Sequence, residues 1–136
     1  MLVKKAIFLV LFSASLLGCG SSPSWDGYSP AEATSLQGMG VSAEEAKQYQ
    51  AMGFNSSTIQ EWYDQGIQLQ HNITAWHDAG FTAQDAGTWR RAGFALTDAY
   101  DWREANFNAS DAKKYIEQGA TLKAAKKMRK QGVPLN

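Results

Sequence analysis

Two histidines and three pairs of carboxylates are the residues of this chain whose types suit metal binding or proton transfer. His71 and His77 stand six residues apart. On a helix that is about 600° of rotation, at roughly 100° per residue, so the two rings do not share a face. His77-Asp78 could add a carboxylate to one imidazole. The single cysteine, Cys19, lies far upstream, however, and no spacing matches a set of metal ligands. The carboxylate pairs are Glu44–Glu45, Asp98–Asp101 and Asp101–Glu104. Acid–base cleavage of a glycosidic bond needs two carboxylates in unlike environments within a cleft. Glu45 and Asp98 instead stand where the first turn of a helix favours negative charge. The glycines form no phosphate-cradling loop, because their thirteen-residue recurrence reads each of them as a helix stop. The chain is therefore expected to be non-catalytic, with no catalytic residue, no metal and no cofactor.

The element behind that recurrence is clearest at residues 80–93, GFTAQDAGTWRRAG. Thr82 followed three residues later by Asp85 is a capping-box pattern: the hydroxyl accepts an orphan N–H and the carboxylate reaches back. Gly93 can adopt the left-handed conformation that ends a helix. Counted back from it, Trp89 and Phe94 fall on the two positions joined by the hydrophobic contact of a Schellman motif. Each Gly-Phe step thus closes one helix and opens the next. The unit predicts a helix of about nine or ten residues, about 15 Å long, with almost no linker.

The unit recurs with starts at Gly27, Gly40, Gly53, Gly66, Gly80, Gly93, Asn106, Gly119 and Gly132, thirteen apart except for fourteen between Gly66 and Gly80. Asn replaces Gly once, and Asn is the next residue most tolerant of a left-handed backbone. N-cap candidates are Ser29, Ser42, Asn55, Thr82, Asn108 and Thr121, and Pro30 suits a first helical position. The fourth unit has an extra residue near 68–71 and no good cap, so an irregular loop is expected there. A mid-helix row reads Ala33, Ala46, Ile59, Ile73, Ala86, Ala99, Ala112 and Ala125, which permits close approach of helices. Three residues on, the row is Leu36, Tyr49, Trp62, Trp76, Trp89, Trp102, Tyr115 and Met128. These aromatics either fill the space between helices or stack on sugars, and repeat spacing favours the first. Trp25 and Tyr63 fall off the rows and are candidates for exposed contacts. The expected fold is all-α: a tandem array of about eight short helices, as a solenoid or a compact bundle, each stabilised by its neighbours.

The N-terminus is of another kind. Lys4 and Lys5 precede an apolar run over residues 6–17, too short to span a bilayer at about twenty residues. This reads as an export signal. It ends in Leu16-Leu17-Gly18-Cys19, which resembles the lipobox of bacterial lipoproteins. The resemblance implies cleavage before Cys19, with acylation of that residue (palmitate among the acyl chains) as the membrane anchor. Gly20, rather than Asp, after the cysteine implies sorting to the outer membrane of a Gram-negative cell, within or facing the periplasm. The expected division is a signal peptide at 1–18, lipidated Cys19 with a Gly/Ser/Pro tether at 19–26, and a helical repeat domain at 27–136.

Charge is unevenly spread. Residues 26–112 carry twelve acidic and four basic side chains, a net of −8, and residues 113–136 carry seven basic and one acidic, a net of +6. The basic set is Lys113, Lys114, Lys123, Lys126, Lys127, Arg129 and Lys130. It either complements the dipole of the last helix or contacts an anionic partner. The functional expectation is a membrane-anchored, non-catalytic binding module for an envelope protein or an anionic cell-wall or lipid partner. Nucleic acid is not expected for an exported protein. A purely structural envelope component is the alternative, and a cell-wall hydrolase the third reading.

Overall fold

In the computed structural model, which describes residues 24–133, eight nine-residue helices follow one another. They are α1 (Pro30–Gly38), α2 (Ala43–Ala51), α3 (Ser56–Asp64), α4 (Gln70–Asp78), α5 (Ala83–Arg91), α6 (Leu96–Glu104), α7 (Ala109–Glu117) and α8 (Leu122–Lys130). No strand occurs among the described residues. The expected signal segment, Cys19 and most of the tether lie outside them.

The stop signals act as the repeat implies. Asn106 is the one non-glycine residue with positive φ among the described residues, at 61°, and it stands in the same row as Gly93 at 95°. At each turn the two Schellman bonds form. Phe94 N–H donates to the Trp89 carbonyl at 3.1 Å and Gly93 N–H to the Arg90 carbonyl at 2.9 Å. The clasp is aromatic, with the Trp89 and Phe94 rings edge to face at 5.0 Å. The same pairing joins Trp76 to Phe81 at 4.9 Å and Trp102 to Phe107 at 5.0 Å.

All six expected N-caps accept a hydrogen bond from the first turn of their helix. Ser29–Glu32 and Ser42–Glu45 form reciprocal capping boxes. The hydrogen bonds from each serine hold the Glu32 and Glu45 carboxyls below their usual range. At Thr82 the shorter Asp85 carboxylate accepts the Thr82 hydroxyl at 2.8 Å instead of the cap's backbone N–H. The fourth unit is irregular as expected. Five residues, 65–69, separate α3 from α4, and Leu69 caps without a side-chain bond.

The glycine rule has an exception. Gly87 lies inside α5, buried, and stops nothing. A Cβ placed there would meet the Gln65 Cβ at 2.9 Å. A glycine inside a helix costs about 1 kcal/mol relative to alanine. Here it lets the end of α3 lie directly on α5.

Packing is local along the array. The closest helix pairings join neighbours, as in α4–α5 and α6–α7, or next-but-one helices, as in α1–α3 and α3–α5. This is the pattern of a one-dimensional stack. Three arginines at one repeat position, each following the aromatic row, fasten it. Arg103 reaches back from α6 to the end of α4, donating to the Gly80 carbonyl at 2.9 Å and the Ala79 carbonyl at 2.7 Å. Its guanidinium lies 3.8 Å over the Phe81 ring. Arg129 repeats this two helices later, on the Asn106 and Ala105 carbonyls at 2.9 and 2.6 Å and 3.9 Å over Phe107. Arg90 in α5 likewise donates to the Gly66 carbonyl, past the end of α3, at 2.9 Å.

The aromatic row is core. Trp62, Trp76, Trp89 and Trp102 are each 4–5% exposed, and Ala86, Ala99, Ala112 and Ala125 are fully buried. Trp25 and Tyr63 are not free contacts, because both are partly buried against the core. Trp25 covers the first turn, with its ring edge to face with Tyr28 at 5.6 Å. Tyr63 sits beside α1, where burial and the nearby Glu45 raise its phenol above the usual range.

Candidate functional site

Because packing uses the periodic rows, most side chains fully open to solvent lie outside them. The strongest such set is on α8. Lys123, Lys126, Lys127 and Lys130 are all exposed. Their spacing of three, one and three residues places them on one face of a helix, spanning about 10 Å along its axis. The opposite face packs inward through buried Ala125 and half-buried Leu122 and Met128. None of the four lysines forms an ion pair among the described residues. The result is a stripe of four ammonium groups with no acidic side chain on its helix.

Three of the seven basic residues expected to form one patch have a different standing. Arg129 is turned away from the stripe, its guanidinium engaged by the Asn106 and Ala105 carbonyls and the Phe107 ring. Lys113 lies 3.9 Å from Glu117 one turn along α7. Lys114 is exposed on α7 beside it. The structure thus narrows the candidate surface to the α8 stripe, with Lys113 and Lys114 on the preceding helix.

No charged side chain among the described residues is buried. Glu44, Asp98, Asp101 and Glu104 are exposed, and Glu45 is half-buried and engaged by Ser42. His71 and His77 are likewise exposed. The His77 ring packs tilted on Phe54, 4.7 Å between centroids, and its Nδ1 stands 3.4 Å from the Asp78 carboxylate. His77 also borders a cleft between the turns at Gly53 and Gly80, with Phe54, Trp62 and Phe81 on its walls. Sequence spacing had no means of finding this cleft, because its two rims come from turns separated by a full pair of helices.

No helix among the described residues is long and apolar enough to cross a membrane. No protein-family model matches this chain, and no curated protein or solved structure matches it.

Proposed function

We propose that this chain is a lipid-anchored envelope protein, tethered through Cys19 at the outer membrane of a Gram-negative cell. Its helical array acts as a non-catalytic binding module. The observation that carries the proposal is the α8 lysine stripe: four exposed ammonium groups on one face, unpaired, at the end of an otherwise acidic array. Surface lysines without acidic neighbours attract anionic polymers, headgroups or acidic protein faces. The tether of 19–26 is short and rich in Gly, Ser and Pro, so it keeps the domain near the surface to which the anchor holds it.

A single acyl chain gives only marginal membrane attachment, whereas several acyl chains hold firmly. Cys19→Ala is therefore expected to move the protein wholly from the membrane fraction to the soluble fraction on cell fractionation. Retention of the variant in membranes after a salt wash contradicts the anchor. The salt wash separates lipid attachment from charge attraction, which screens within about 10 Å at 0.1 M.

A further inference from the structure

The position that follows the aromatic row holds arginine in α5, α6 and α8 and histidine, His77, in α4. Arg103 and Arg129 show what that position does along one edge of the array. Each places a guanidinium over a Phe ring and donates to two carbonyls at the end of the helix two back. His77 is too short to do so. It leans on Phe54, and no described side chain donates to the Met52 or Gly53 carbonyls.

The consequence is visible in the clefts along that edge. Beside the Asn106 turn, the cleft is lined by Trp89, Arg103, Phe107 and Asn108, with Arg103 covering the preceding Gly80 turn. Its counterpart beside the Gly80 turn is lined by Trp62, His77, Phe81 and Thr82. Its lining also takes in Met52, Gly53 and Phe54. The extra floor is the turn that an arginine covers in the later units.

We propose that this cleft binds the guanidinium of an arginine presented by a partner protein. Two observations independent of one another support that occupant. First, the same backbone turn and aromatic wall hold a guanidinium twice elsewhere in this chain. Second, residues 26–112, the stretch of chain that contains the cleft, carry a net charge of −8, and a field of that sign draws a cationic segment. The chemistry separates arginine from lysine. A planar fork can meet two adjacent carbonyls while stacking on an aromatic face, and a compact ammonium cannot do both. The site lies apart from the α8 stripe and takes a ligand of opposite charge, so it stands whether or not that stripe binds.

The test titrates the peptide acetyl-Gly-Arg-Gly-amide into the array and follows backbone amide shifts, with the lysine peptide as comparison. The expected result is saturable shifts centred on Gly53, Phe54 and His77, with a Kd on the order of millimolar for one side chain, and at least about fivefold weaker binding of the lysine peptide. His77→Arg supplies the guanidinium from within. It is expected to abolish those shifts and to raise the melting temperature, while His77→Ala keeps the binding. The proposal is overturned by equal affinity for both peptides, by shifts that survive in His77→Arg, or by no saturation at all. Peptide-induced shifts confined to Gly93 and Ile116, where the arginine position also holds another residue, overturn it too.

Discussion

Trp102→Ala is expected to destabilise the array by about 3–5 kcal/mol, the range for deleting a buried large aromatic. Small domains have total stabilities of about 5–15 kcal/mol, so this is a large share. The Trp102 ring is 5% exposed and meets Phe94 at 6.3 Å, Phe107 at 5.0 Å and Tyr115 at 6.3 Å. It therefore joins the turn before α6 to the turn after it and to α7. Neighbour-by-neighbour packing adds a spatial prediction. Amide exchange should quicken most in α7 and α8, which lose their link to the rest, and least in α1 to α3. Equal acceleration along all eight helices contradicts a local stack. A destabilisation below about 1 kcal/mol contradicts a core role for the row.

Ala99→Leu is expected to cost about 1–3 kcal/mol, through overpacking rather than cavity formation. Ala99 is fully buried at the middle of α6, the helix that carries Trp102, and Ala86 and Ala112 are equally buried at the same repeat position. The position is not small everywhere: Ile59 and Ile73 fill it in α3 and α4 at 1% and 0% exposure. The demand for alanine thus belongs to the local neighbours. Thermal or urea denaturation checks it, and a stabilised Ala99→Leu variant would show that the C-terminal helices are not closely apposed.

Much of this fold is legible in the sequence because its instructions are local. A left-handed Gly93 or Asn106, a cap at Ser42 and a Trp89–Phe94 clasp each involve residues within six positions of one another. The physics of a helix end acts at that range. What joins the helices acts at longer range and leaves no periodic mark. The Arg103 and Arg129 clasps reach back 23 and 24 residues. Before the structure, Arg129 read as one more cation of a basic patch. Gly87 read as another helix stop, when it is the point where Gln65 lies on α5. Trp25 and Tyr63 stand off the rows and so read as exposed, although both are partly buried against the core, Trp25 over the first turn and Tyr63 beside α1. The lysine stripe was visible as charge but not as a face, since its direction depends on which side of α8 the Ala125 row buries.

The α8 stripe is proposed to recognise an anionic component of the envelope. The direct measurement is co-sedimentation of the repeat domain, with Trp25 retained (residues 24–136), with isolated envelopes. The native sequence is compared with a variant carrying Lys123→Glu, Lys126→Glu, Lys127→Glu and Lys130→Glu. Arg129 is left in place because it fastens α8 to the turn at Asn106. All four lysines are exposed and unpaired; because Lys127→Glu and Lys130→Glu oppose the helix dipole, helical circular dichroism is measured on both domains and the comparison made where both are folded. The native domain is expected to bind saturably, more weakly as salt rises, and charge reversal to cost at least about tenfold in affinity. Equal sedimentation of the two domains, or no binding of the native one above a non-binding control, would contradict the proposal.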